Sequence, residues 1–222
     1  MCGRYTLTLP WNEIAEQFGV AVPQGHGLEY NAAPGQKHPI ITSREPGKLQ
    51  MIYWGFPLKG SQKSQLIINA RQDTLTRKAL FREKLHSGRC IIPADGFYEW
   101  EKKAGKRMPV RFLLKNKGLF AFAGLFGIFK TAAGDSVERF TIITTQANEL
   151  VQNIHDRMPL MLQPQQALKW LQDRDPEAAT QQLQPVKASD MISYPVSPKV
   201  NNAANNSPEN ILPWTDPGLT LF

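Results

Sequence analysis

The chain opens on Met1-Cys2, and Cys2 holds two nucleophiles in reserve. Removing Met1 would leave a cysteine whose α-amine and thiol share one carbon skeleton. Their unperturbed pKa values, about 7.7–8.0 and about 8.5, leave a share of each reactive near neutral pH. An amine beside a thiol suits aldehyde capture: the amine condenses to a Schiff base and the thiol adds to the same carbon, closing a five-membered thiazolidine. A cysteine at position two also occurs in proteins with no such chemistry, so the rest of the chain has to supply the context.

Four clusters place polar groups among apolar or constrained neighbours: Tyr30-Asn31-Ala32-Ala33-Pro34-Gly35, Ile68-Asn69-Ala70-Arg71, Phe97-Tyr98-Glu99-Trp100 and Ile154-His155-Asp156-Arg157-Met158-Pro159. Glu99 follows the turn Pro93-Ala94-Asp95-Gly96 and lies between two aromatic residues, where desolvation raises a carboxyl pKa and suits it to shuttling protons. A solvated carboxylate at a strand end fits the same local sequence equally well. His155 reads either as an acid/base group tuned near neutral pH or as an ordinary histidine satisfying a backbone group after a short helix. Asn31 and Asn69 read as turn-capping amides or as groups that hold and polarise a substrate. Trp54, in Trp54-Gly55-Phe56-Pro57, reads as a stacking surface for bases or as the end of a core strand.

If residues 2–9 are extended, Cys2, Arg4 and Thr6 share one face while Tyr5, Leu7 and Leu9 share the other. The same alternation puts Asn69 and Arg71 on one side of their segment, and Glu99 opposite Tyr98 and Trp100. An arginine two residues from a nucleophile suits a phosphate-bearing substrate. His26, His38, His86 and His155 show no zinc spacing, and the chain lacks a glycine-rich phosphate loop and a Gly-x-Ser-x-Gly elbow, so neither metal nor cofactor is expected.

The elements that must position these groups are short. β-type runs recur at 3–9, 38–42, 49–54, 89–92, 110–114, 119–122 and 140–144, and helical patterns at 11–18, 76–85, 147–154 and 165–171. This predicts an α+β protein: mainly antiparallel curved sheets forming a barrel-like core, with helices at the periphery. Residues 201–208 read as an irregular polar surface segment. The length of 222 residues with no linker-like stretch predicts one domain over 1–222.

Composition excludes several classes. The longest apolar run, 119–129, is too short to span a bilayer and is broken by Gly124 and Gly127. No basic region followed by a long apolar stretch marks a secretory signal. The two cysteines, with Cys90 in an apolar run, predict reduced thiols and a cytoplasmic setting. The net charge of +7 is a mild signal for a polyanionic partner, and Lys102, Lys103, Lys106 and Arg107 read as a solvated hairpin turn.

The six motifs Met1-Cys2-Gly3-Arg4-Tyr5, 30–35, Trp54-Gly55, 68–71, 89–100 and 154–159, in that order and with Asn205-Asn206-Ser207-Pro208-Glu209 near the end, resemble the SRAP family of SOS response-associated peptidases. The resemblance spans nearly the whole chain, with a looser match at Asn201-Asn202-Ala203-Ala204. It implies a sensor of abasic sites in single-stranded DNA, in which the exposed Cys2 forms a thiazolidine with the ring-opened sugar aldehyde. In that reading Asn69 positions the sugar, Glu99 and His155 handle protons, and Arg4 and Arg71 bind phosphates, while Asn31, Pro34 and Trp54 line the path of the strand. A monomer is expected, and Cys2 would also account for peptidase activity on its own Met1 or on other proteins. A thiol protease or a noncatalytic single-strand-binding module are the competing readings.

Overall fold

A run buried on both faces has no reason to alternate polar and apolar residues. Phe120–Lys130 is such a run and forms the spine of the molecule, buried from Phe120 through Gly127. The computed structural model describes residues 2–23, 27–58, 65–103 and 105–215; Met1 and His26 lie outside the described residues.

Strand Phe120–Lys130 pairs antiparallel with Arg89–Ala94 on one edge and with Ser136–Gln146 on the other. From Ser136–Gln146 the hydrogen bonding continues through Gln50–Trp54 and Lys37–Thr42 to Arg89–Ala94, so five strands close into a ring. Closure leaves these five strands without long free edges and makes the interior a filled core. Trp54 and Phe140 stack there with centroids 6.0 Å apart. Gly124 permits the tight approach of its neighbours, since a Cβ there would meet Ile92 Cδ1 at 2.5 Å and Cys90 Sγ at 2.9 Å. Asn69–Arg71 and Arg157–Pro159 add to Ser136–Gln146, and Met161–Leu162 adds to the spine. Among the described strands the pairings of Ser136–Gln146 with Gln50–Trp54 and Asn69–Arg71 are parallel; the other strand pairings are antiparallel.

A second, fully antiparallel sheet runs in the order Met191–Pro195, Lys106–Leu114, Gly96–Lys103, Tyr5–Leu7, Glu29–Ala32. Tyr5 joins it to the barrel, with its ring 5.5 to 5.7 Å from those of His38, Trp54 and Phe122. The α+β barrel expected from the sequence is therefore the fold.

Helix Trp11–Phe18 lies where the sequence places it and stops at Gly19, whose φ of 63° is the left-handed conformation glycine tolerates. Ala79–Ser87 starts later than the 76–85 pattern because Lys78 is extended. The 147–154 pattern shrinks to Glu149–Gln152, whose N-cap Asn148 accepts from the Val151 amide. Pro164–Gln172 packs on the spine strand, and Pro176–Gln182 is a helix the sequence pattern did not signal.

Candidate functional site

The backbone brings Cys2 to Glu99. Tyr5 pairs with Phe97 and Thr6 with Gly96 in antiparallel register, and the Tyr98 amide donates to the Arg4 carbonyl at 3.0 Å. Continued by parity, this register sets residues 2–4 beside residues 98–100. The pairing is clamped one turn away by Asp95, which accepts from Thr6 Oγ1 and the Thr8 amide at 2.5 Å, from Thr8 Oγ1 at 2.6 Å, and from Arg111 Nη2 at 3.1 Å. Asp95 and Arg111 are both buried, and a buried pair with its remaining valences satisfied fixes geometry more than it adds stability.

Cys2 is completely buried, its Sγ 3.8 Å from the Arg4 carbonyl. Burial, with the Glu99 charge second, pushes the thiol pKa far above its ordinary value, so the sulfur stays protonated at neutral pH. Glu99 is itself 4% exposed. Burial raises its carboxyl pKa, while the opposing charge of His155 pulls it down. Glu99 thus senses both Cys2 and His155, and it shares a cleft of about 760 Å³ with His155. The backbone amide of Arg157 donates to His155 Nδ1 at 3.0 Å, which places the proton of the neutral ring on Nε2. The exposed Asp156 carboxylate lies 2.8 Å from the same Nδ1.

Glu99 and Trp100 both border this cleft, while Tyr98 packs elsewhere. Tyr98 donates to the carbonyls of Tyr30 and Asn210 and packs in a separate small cluster with Val196 and Val200. Asn69 sits on the strand bonded to Ile142–Thr144, its amide nitrogen 2.8 Å from the Ile68 carbonyl and its buried Oδ1 without a hydrogen-bond partner among the described residues. A buried acceptor left open is suited to a substrate hydroxyl. Arg71 is exposed on the same strand and Pro34 is half-buried.

Trp54 and Asn31, expected along the strand path, and Arg4, expected on a phosphate, have other surroundings. Trp54 has no exposed surface and its Nε1 donates to the Ile68 carbonyl at 2.9 Å, so it is a barrel core residue and offers no face for base stacking. Asn31 is 2% exposed and donates to the carbonyls of Val200, Asn202 and Asn205. Its Oδ1 accepts from Arg4 Nη1 at 2.8 Å, and Arg4 also donates to the carbonyls of Val200 and Asn201. Arg4 and Asn31 therefore tether the C-terminal stretch, and Arg4, partly buried, has its guanidinium largely committed within the chain. The 201–208 segment is irregular as expected but tied down.

The sequence reading took Lys102 and Arg107 for part of a solvated hairpin turn and did not connect them to Glu99. They pair across the hairpin that turns at Gly105, and both border the Glu99–His155 cleft. Arg107 and Trp100 continue into an adjoining hollow of about 380 Å³ that also contains Arg4 and Asn201. Counting the hairpin register outward from Glu99 is the signal that would have found them. Among the described residues no group of three or more His, Cys, Asp or Glu side chains is arranged to hold a metal ion. None of the described helices is long and apolar enough to cross a membrane.

A closed barrel with a buried near-terminal cysteine beside a strand that carries a buried carboxylate is the arrangement on which the comparison with known proteins bears. The chain belongs to the SOS response associated peptidase (SRAP) family, whose model matches residues 1–203. It is 42% identical over 221 residues to the abasic site processing protein YoqW of Bacillus subtilis, covering 95% of this chain and 99% of that one. It is 32% identical over 226 residues to the abasic site processing protein YedK of Escherichia coli, covering 96% and 100%. A crystal structure of a protein from Bacteroides thetaiotaomicron superposes with a TM-score of 0.84 at 25% identity, covering 96% of this chain and all of that one.

Proposed function

We propose that this protein processes abasic sites in single-stranded DNA by capturing the ring-opened sugar aldehyde on Cys2 after Met1 is removed. The observation that carries the reading is the strand register that sets residues 2–4 beside 98–100, so that Cys2 lies near the buried Glu99, which shares one cleft with His155. Its relatives' names, abasic site processing proteins, give the substrate.

In this reading the α-amine attacks the aldehyde carbon and forms a carbinolamine. Glu99 or His155 protonates the departing oxygen, one water leaves, and a Schiff base results. The sulfur then adds to the C=N carbon while its proton passes to the nitrogen, closing the thiazolidine with a net loss of one water. Burial raises the pKa of the Glu99 carboxyl and so makes it a better proton acceptor than a solvated carboxylate, as the two steps require. Asn69 Oδ1 holds the sugar, and Arg71, Lys102 and Arg107 meet phosphates around the cleft. The strand runs past Pro34, while Asn31 and Arg4 act by holding the C-terminal stretch beside it. The protein works as a monomer, in the compartment that holds the DNA, and needs no cofactor.

A thiol protease would need only the sulfur and a base, whereas aldehyde capture also needs the free α-amine of Cys2. Release of Met1 by the same residues remains part of the proposal. The test is a denaturing gel of the protein incubated with an abasic oligonucleotide. Wild type is expected to give a heat-stable adduct and Cys2→Ser only an adduct trapped by borohydride; an undiminished heat-stable adduct from Cys2→Ser would contradict it.

A further inference from the structure

We propose that Asp73 is a positioning residue for DNA binding, holding the guanidinium of Arg71 with its outer edge turned toward a strand phosphate; this rests on the proposed DNA-binding reading. Directly after strand Asn69–Arg71 the chain makes a 3-10 turn, Gln72–Thr74. The turn is anchored at both ends: Gln72 Nε2 donates to the carbonyls of Thr180 and Leu183 at 2.6 and 2.9 Å, and Thr74 Oγ1 donates to the Arg71 carbonyl at 3.1 Å.

The Asp73 carboxylate therefore projects from a fixed base, and two arginines converge on it. Arg71 approaches from solvent with the Nε–Nη2 edge, at 3.2 Å to Oδ1 and 2.8 Å to Oδ2. Arg157 approaches from the interior, its Nη2 3.4 Å from Oδ1 and 2.6 Å from the Thr144 carbonyl. Their side chains are 56% and 9% exposed, so one guanidinium is the buried support and the other the presented group. Using one edge of a planar fork on a carboxylate leaves Nη1 and the outer Nη2 proton for a second anion, in an orientation already set. Arg71 foremost holds the Asp73 carboxyl below the usual carboxylate range, so the clamp stays charged at neutral pH.

Simple electrostatics and positioning predict opposite signs. Asp73→Ala removes one negative charge, taking the formal net charge from +7 to +8, which by itself favours a polyanion. Positioning predicts weaker binding, because Arg71 must then be ordered by the DNA.

The test is the affinity of the full chain for an intact fluorescein-labelled thymidine oligonucleotide across a salt series. Asp73→Ala is expected to bind about threefold to tenfold more weakly, the cost of ordering one long side chain. Its log–log salt slope should stay close to that of the wild type, because Arg71 still reaches the phosphate, whereas Arg71→Ala should lose about one contact from the slope. Asp73→Asn, which keeps one acceptor, should lose less, and in an Arg71→Ala background Asp73→Ala should cost nothing further. Equal or tighter binding by Asp73→Ala, or a full loss persisting without Arg71, would overturn the inference. Should Asp73→Ala fail to fold, Asp73→Asn carries the same comparison. Adduct formation with abasic DNA by the wild type is scored separately. Its failure would overturn the functional reading while the intact-strand series still decides the role of Asp73.

Discussion

Glu99 gains its properties from where the chain puts it. Because burial raises its carboxyl pKa in the fold, the folded state holds the proton more tightly than the unfolded chain does. Stability is therefore lost as pH rises from the unfolded value, about 4.3, through the folded one, and the penalty persists at neutral pH. Glu99→Gln should melt higher than wild type near pH 7, with the difference vanishing below about pH 4; a thermal melt series against pH checks this. The same variant should slow adduct formation about 10²–10⁴-fold in single-turnover kinetics while leaving intact-strand affinity in place. Much of this was legible: Cys2, Glu99, His155 and Asn69 could be singled out from their neighbours. The environment of Trp54 was not, because an aromatic beside glycine and proline looks alike as a stacking surface and as a core plug. Its stacking on Phe140 and its bond to the Ile68 carbonyl decide for the core, and both are long-range facts. Arg4 was read as a phosphate contact because only its nearness to Cys2 is visible in sequence; its carbonyl partners lie nearly 200 residues away.

Among the elements, the C-terminal stretch shows how local reading runs out. Its asparagines look like turn formers, and turns are indeed what form, at Pro198–Asn201 and Pro208–Ile211. What sequence does not show is that Asn31, on a strand near the other end of the chain, collects three of its carbonyls. Asn206 repeats the device, accepting from the Tyr30 amide at 2.6 Å and donating to the Leu28 carbonyl at 3.0 Å. Asn31→Ala removes four hydrogen bonds and strands buried acceptors, and should cost roughly 2–5 kcal/mol in denaturant unfolding. It should also open residues 198–210 to limited proteolysis, and an unchanged digestion pattern would show the stretch is held by other contacts. The helices were legible where a proline or glycine marks an end, as at Pro164 and Gly19. The 176–182 helix was not, since its buried positions, Pro176 and Thr180, give no apolar stripe.

At the scale of the whole molecule, the closed barrel and the second sheet meet at Tyr5. Tyr5 plugs into the barrel's aromatic core while the residues just before it meet the 96–103 strand, so burial of one side chain fixes the place of Cys2. The α+β class was legible because recurring short β-runs demand antiparallel sheets. The closure of five strands was not, because ring formation depends on pairings between segments such as 50–54 and 139–140 that no local pattern announces. Against a net charge of only +7, two cations, Lys102 and Arg107, border the Glu99–His155 cleft.

The most direct measurement of the central claim is the intact mass of the protein after incubation with an abasic oligonucleotide under denaturing work-up, followed by peptide mapping. The account predicts one adduct equal to the chain lacking Met1 plus the oligonucleotide minus one water, mapped to Cys2. It also predicts no adduct when a residue retained ahead of Cys2 blocks the amine. An adduct formed at the wild-type rate by that blocked protein, or one mapped to a lysine or to Cys90, would contradict it.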